Sequence, residues 1–286
     1  MSSAATPVQL GTVGVWAASW ELTAARAAEI ERLGYGALWV GGSPEAGLEI
    51  VETLLAATST LSLATGIVNI WSAEAGAVAD SYHRLEAAYP GRFLLGIGAG
   101  HPEHTTEYLQ PYQALVNYLD VLDERGVPKE RRVLAALGPK VLRLSADRAA
   151  GAHPYLVPAA YTTGARETLG SAPLLAIEHK VLLGTDPEKT RPAGRPSVAN
   201  PYLGLSNYLA NLRRLGFTDA DLSNDGSDTL IDALVAQGDA ASVAAQLREH
   251  LTAGADHVAV HVVPDNEDPL GSLAELATAL GLTGRG

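Results

Sequence analysis

The sequence contains no cysteine. That excludes disulfides, thiolate metal sites and cysteine nucleophiles together. Lysine is scarce, with 4 residues against 16 arginines, and the 20 basic residues are outnumbered by 32 acidic ones, for a net charge of −12. A general nucleic-acid or anionic-membrane binder leans the other way. Long apolar runs are also missing. Stretches such as Val133–Leu137 and Leu174–Ile177 fall far short of the roughly 20 residues a membrane span needs. Met1–Pro7 has neither a basic region nor an apolar run, so no signal peptide is expected. These absences point to a cytoplasmic protein with no nucleic-acid or membrane partner. Phenylalanine occurs only twice, which leaves 4 tryptophans and 10 tyrosines to carry the aromatic content.

Hydrophobic residues make up 47% of the 286 and charged ones 18%, enough apolar surface for a sizeable core. The informative feature is the order of patterns. Strands are predicted over Val8–Trp16, Ala37–Val40, Leu61–Val68, Arg92–Ile97, Val133–Leu137, Ala152–Val157 and Leu174–Leu183. Helical spacing falls between them, over Leu22–Leu33 with Thr23 as cap, Leu48–Thr58, Ala73–Tyr89, Tyr112–Arg125, Pro139–Ala150 and Ala160–Leu169. After Leu183 the alternation stops. Asp186–Gly216 reads as helical with a break near Pro192–Pro196, followed by helices over Asp228–Ala236 and Ala240–Ala253. Val258–Val263 is an eighth strand and Leu273–Leu280 a closing helix. Eight βα units predict a single-domain α/β protein over residues 1–286, a (β/α)8 TIM barrel with a helical insertion between strands seven and eight. The rival, a doubly wound open sheet, needs a phosphate fingerprint after its first strand, where only Gly11 and Gly14 occur.

In a barrel the chemistry lies at the C-terminal strand ends. Gly96-Ile97-Gly98-Ala99-Gly100-His101 follows the fourth strand. It lacks the spacing of a dinucleotide loop; the readings left are a close approach of a flat ligand to bare backbone, or an ordinary tight turn. His101, at that tip, is suited to donate a proton near neutral pH or is a loop histidine satisfied by its neighbours. Gly138-Pro139-Lys140 opens a helix whose free N–H groups face the strand ends, either an anion site helped by the lysine or a plain helix start. Gly66 inside the third strand marks a bulge, a close approach or an ordinary strand glycine. Trp16, Trp20, Trp71 and Tyr155 at strand ends are available for stacking on a flat ligand or for core packing. His257 and His261 share one face of the last strand, inward at the site or outward against helices. No metal is expected, and no nucleophile elbow, P-loop or carboxylate pair supports hydrolysis.

Several stretches together resemble the bacterial luciferase-like family, in its coenzyme F420-dependent oxidoreductase branch. They are Gly34–Gly41, Ala64–Trp71, Pro90–Gly98, Ala135–Lys140, Gly151–Tyr155, and Asn207-Tyr208 with Leu212–Phe217. The resemblance implies a homodimeric (β/α)8 barrel in which a reduced deazaflavin passes hydride from C5 to a small-molecule or peptide substrate. It implies a non-prolyl cis peptide at Gly66–Ile67 behind the ring, with Asn69 following toward it. It places ring or ribityl contacts on Ala99 and Gly100, the phosphate cradle on Leu137, Gly138, Lys140 and Val141, and a sixth-strand contact on Tyr155. His101 stands where sugar-phosphate dehydrogenases of the family carry an acid. Gly41-Gly42 stands where relatives often carry an acid or an acid–histidine pair. That departure favours reduction of an activated alkene or imine, with His101 or water supplying the proton. The alternatives are an FMN-dependent monooxygenase of the same superfamily and a non-catalytic barrel that binds the cofactor.

Overall fold

The computed structural model describes residues 6–100, 111–264 and 269–284. Its strands are β1 Val13–Ala18, β2 Ala37–Gly41, β3 Ser62–Thr65, β4 Val68–Asn69, β5 Phe93–Gly98, β6 Arg132–Leu134, β7 Gly151–Ala152, β8 Leu174–Leu183, β9 Val235–Gly238 and β10 His257–Val262. The helices are α1 Ala24–Arg32, α2 Glu49–Ala56, α3 Ala75–Ala88, α4 Pro111–Glu124, α5 Pro139–Arg148 and α6 Ala159–Leu169, then α7 Pro187–Ala199, α8 Ser206–Arg214, α9 Asp219–Leu222, α10 Asp228–Leu234, α11 Ala240–Thr252 and α12 Leu270–Leu280.

Every strand pairing is parallel, in the order β10-β1-β2-β3-β5-β6-β7-β8, and β8 pairs back to β10. The sheet is a closed barrel of eight staves, as the alternation of patterns predicts. One stave is built from two pieces, because β3 and β4 are interrupted at Gly66–Ile67 and β4 pairs only with β5. The expected strand over Leu61–Val68 is therefore two short ones. Closure removes sheet edges and buries both faces, which is why the staves read as continuous apolar runs. The main core fills the ring between strands and helices. A smaller cluster, with Ala37, Trp39, Ala64, Leu94, Val133, Ala176 and Ala259, fills the lumen. Thr23 caps α1 as the sequence suggests, accepting from the Arg26 N–H at 3.2 Å.

The segment between β8 and β10 departs from the sequence reading in two places. Pro192 and Pro196 do not break α7; the helix runs through both and stops at Asn200. The two prolines lie four apart on the solvent face. The carbonyls they leave unpaired belong to Glu188 and Pro192, which are also exposed and can turn to water. The helix predicted over Asp228–Ala236 ends at Leu234, and Val235–Gly238 becomes β9. Lys180 and Val181 pair with both β10 and β9, so these two lie on opposite edges of β8. β9 thus takes the edge of β8 that the short β7 leaves open. Among the described residues no helix is long and apolar enough to cross a membrane.

Candidate active site at the mouth of the barrel

A cavity of about 850 Å³ opens at the C-terminal strand ends, within the usual range for a ligand site. Its wall has two unlike halves. Staves one to five present groups without charge, mostly small: Ala18, Gly41, Gly66, Ala99 and Ala135, with Trp16, Ile67 and Asn69 among them. Staves six to eight present His153, Tyr155, Lys180 and His261. The helical segment after β8 covers one side through Tyr202 and Tyr208.

The glycines of the small half have a definite neighbour. A Cβ on Gly41 would stand 2.1 Å from the Trp16 ring, and one on Gly66 would stand 2.7 Å from its Nε1. Trp16 lies inside β1, and its indole takes the space those side chains would fill. The close approach inferred for Gly66 is real, and the group that approaches is Trp16. The Trp16 Nε1–H is buried without an acceptor among the described residues. An orphaned buried donor lining a cavity calls for a partner on the ligand. His153 complements it. Its Nδ1–H donates to the Ala176 carbonyl at 2.9 Å. Burial holds the imidazole neutral, with its pKa lowered to about 4, so the unpartnered Nε2 is an acceptor.

The structure brings most of the expected site residues together. Gly66, Ile67, Asn69, Ala99, Gly100, Leu137, Gly138, Val141 and Tyr155 all line this cavity. Asn69 is partly engaged, since its Oδ1 accepts from the Trp71 N–H at 3.0 Å, and Trp71 Nε1 donates to the Ala99 carbonyl at 2.6 Å. Gly100 has φ +59, and a Cβ there would press on the Asn69 amide at 2.7 Å. Gly138 caps α5, with Pro139 in the first turn and no acidic residue there. The nearest atom to a Cβ on Gly138 is an Arg214 guanidinium nitrogen 3.9 Å away, so this wall is open to the cavity. Lys140 behaves otherwise than inferred. It does not line the cavity, and its ammonium stands 3.9 Å from the centre of the Tyr112 ring. Arg214, to which the sequence patterns assign no role, is the cation beside the helix start. His101 lies outside the described residues.

One implication of the resemblance is corrected. Among the described residues the cis peptides are Asn200–Pro201 and Val263–Pro264, and Gly66–Ile67 is trans. The break between β3 and β4 at this point is made by chain direction alone. Of the four aromatics, Trp20 is 75% exposed at the lip, Trp71 ties down the loop, and Trp16 and Tyr155 reach the cavity.

The group at the far wall carries no motif in the sequence. Glu178 and Lys180 are two apart on β8, so both point inward. Glu178 is fully buried. Its Oε1 meets Lys180 Nζ at 3.1 Å and His261 Nδ1 at 2.9 Å, while Oε2 accepts the Leu156 N–H at 2.9 Å. Burial alone would raise this carboxyl; Lys180 and His261 outweigh it and hold it well below the usual carboxylate range. Lys180 Nζ also donates to the Tyr155 hydroxyl at 2.8 Å. His261 packs on Trp16 with ring centroids 4.3 Å apart. A lone buried ion is prohibitively costly, so the contacts of this pair must be complete for it to exist. Among the described residues no cluster of three or more histidines and carboxylates could hold a metal ion.

Comparison with known proteins gives a partial sequence match and a shared fold. Residues 2–125 match the family model described as luciferase-like monooxygenase. The chain is similar to the luciferase-like monooxygenases. No curated protein matches the sequence. Among solved structures, an F420-dependent secondary alcohol dehydrogenase in complex with an F420-acetone adduct superposes with TM-score 0.73 at 15% identity, covering 95% of this chain and 98% of its own. The coenzyme F420-dependent tetrahydromethanopterin reductase of Methanopyrus kandleri gives 0.69 at 15%, with 96% and 99% covered. The oxygenating constituent of 3,6-diketocamphane monooxygenase from the CAM plasmid of Pseudomonas putida, in complex with FMN, gives 0.66 at 13%, with 96% and 98% covered. At such identities the likeness is one of fold.

Proposed function

We propose that this protein is an oxidoreductase that uses coenzyme F420 as a reductant for an activated alkene or imine. The observation that carries the reading is the divided wall: small residues and an indole on one side, ionisable groups on the other, and an open helix start between them. A flat ring system would rest against Trp16, Ala18 and Ala135, which line the cavity. The N–H groups at the start of α5, with Gly138 bare and Arg214 beside it, suit a phosphate. Such a local cationic site is needed because the net charge of −12 opposes an anionic cofactor. When bound, the cofactor supplies two electrons and a hydrogen. The protein's own residues do the rest. Trp16 Nε1 offers a hydrogen bond to an acceptor on the ring or substrate, His153 Nε2 accepts one, and the tyrosines of the covering segment exclude water.

FMN is the alternative ligand, since the same wall and phosphate site suit it, and one structure of this fold binds it. Titration of the purified protein with F420 and with FMN, followed by fluorescence, separates the two. Tight binding of F420, and turnover of an alkene or imine by the reduced form, supports the reading. Binding of FMN alone replaces F420 with the monooxygenase reading. Tight F420 binding without turnover across a substrate screen favours a cofactor-binding barrel.

A further inference from the structure

Reduction of a polarised double bond needs a proton as well as a hydride, and the far wall of the cavity is built to hold that proton. We propose that Tyr155, backed by Lys180, is the general acid of this cavity and protonates the oxygen or nitrogen of a C=O or C=N bond, alone or conjugated to C=C. The catalytic part rests on the reductase reading above. The binding of an oxyanion at this wall does not.

The geometry supports the assignment at each step. Tyr155 lines the cavity, and its oxygen accepts from the Lys180 ammonium at 2.8 Å. A phenol whose oxygen already accepts a charge-assisted hydrogen bond keeps its own proton as a donor; here that proton is shared with Tyr202 and passes to the substrate when it turns from that partner. Lys180 is buried to 1% exposure and anchored by Glu178 at 3.1 Å, so its charge stays within reach of the developing phenolate. The ammonium also lies 4.3 Å from the centre of the Tyr155 ring. Burial and the neighbouring Tyr202 and Glu178 raise this phenol well above its ordinary range even with Lys180 in place, so Tyr155 holds its proton until a more basic atom forms on the substrate. His261 Nδ1 lies 3.2 Å from Lys180 Nζ and 3.4 Å from the Tyr155 oxygen. It joins the ammonium to the cavity, where it too is a lining residue. Glu178 does not line the cavity and is a positioning residue.

The balance is simple. A bound reduced deazaflavin, or a reduced flavin in its place, would supply a hydride, its own bond to that hydrogen breaking as a C–H bond forms at the substrate carbon. The π electrons of the double bond move to its oxygen or nitrogen, directly or through the conjugated alkene. That atom takes the Tyr155 proton, forming O–H or N–H. The phenolate takes a proton from Lys180, and the resulting amine regains one from solvent through His261. A substrate with no heteroatom on the polarised bond has no place for this proton. The class is therefore enones, aldehydes, ketones and imines, and isolated alkenes are excluded.

The test uses 4-nitrophenolate, a planar oxyanion whose absorption band moves when its oxygen accepts hydrogen bonds, with the whole chain and no cofactor. The wild type is expected to bind it with a shifted band. Tyr155→Phe removes one hydroxyl and no charge, and should weaken binding by about 10-fold or more, the worth of a hydrogen bond to a charged group. The double variant Glu178→Gln/Lys180→Met removes both buried charges together, avoiding a lone ion, and should abolish the band shift. Equal affinity in all three proteins overturns the proposal, as does a band shift that survives in both variants but disappears in Gly138→Val. The second readout is single-turnover reduction of 2-cyclohexen-1-one by F420-loaded protein. Tyr155→Phe should slow it by about 100-fold at saturating cofactor. Failure of every form to bind F420 would sink the reductase reading, while the nitrophenolate series would still decide whether the acid is there.

Discussion

Gly138 has open space where a side chain would go, and that makes it a clean probe. Its φ of −93 suits any residue, and among the described residues the atom nearest a Cβ is 3.9 Å away. Gly138→Val should therefore leave the thermal midpoint unchanged and severely weaken F420 in a fluorescence titration. Arg214→Ala should weaken it by about 1 kcal/mol, as for an exposed charge contact, and by more at low salt. Lys140→Ala should have the smaller effect of the two, because its ammonium is drawn to the Tyr112 ring; a larger loss for Lys140 would place the phosphate on the opposite side of the helix start. Strand-end position makes the residues of the small half and the helix start legible in the sequence itself. Glu178, Lys180 and His261 are also visible there as ionisable groups inside apolar strands. Their role is not, because period two tells which residues share a face and closure alone tells which face is inside. Gly66 shows the opposite case: the sequence allows a close approach there, and only the fold supplies the neighbour, Trp16.

The packing of α7, α8 and α10 over β9 shows which interactions hold the covering segment. Arg191 makes two bonds to Asp232, at 2.8 and 2.6 Å, and Arg195 reaches Asp228 and the Gly226 carbonyl. Both pairs are solvent-accessible at the acid, so each is worth little. Beneath them Val198, Leu212, Leu230 and Ile231 are fully buried in one apolar cluster. Ile231→Ala should cost about 2–5 kcal/mol and Arg191→Ala less than about 1 kcal/mol, measured as urea midpoints at fixed pH. A reversed order would mean that charge, not packing, fastens the segment. The order of staves and helices is readable from the sequence because period and punctuation change together at each boundary. β9 is not, since four residues directly after a helical pattern carry neither a turn signal nor a full period. Nor is the continuity of α7, because proline signals a break unless its lost bonds face water.

The molecule buries several histidines in neutral form, and its acid stability follows from them. Burial lowers His153 and His257 to about 4 and His250 to about 3. His257 accepts from Trp39 Nε1 at 3.0 Å and donates to the Gly11 carbonyl at 2.8 Å, while His250 contacts Thr162 at 2.8 Å and His179 at 3.0 Å outside the barrel. An unfolded imidazole takes up its proton near 6.5, so lowering the pH from there favours the unfolded chain until the folded values are reached. Stability should be flat above pH 7 and fall steeply between about pH 6.5 and 4, each unit costing about 1.4 kcal/mol per histidine. His250→Gln should make that slope shallower in denaturant titrations across the range without changing cofactor affinity, since His250 lies outside the cavity. At the same scale the cavity wall divides along the chain as well as in space. Among the described residues up to Ala136, none lining the cavity carries a carboxylate, amine or imidazole; those groups enter only from His153 onward. The recognisable family signature, residues 2–125, covers the first part and stops before the second. The matched stretch and the ionisable wall thus lie in different parts of one barrel. Substitution at a few inward positions such as 155, 180 and 261 can therefore remake the ionisable wall while the matched stretch and the closed barrel stay as they are.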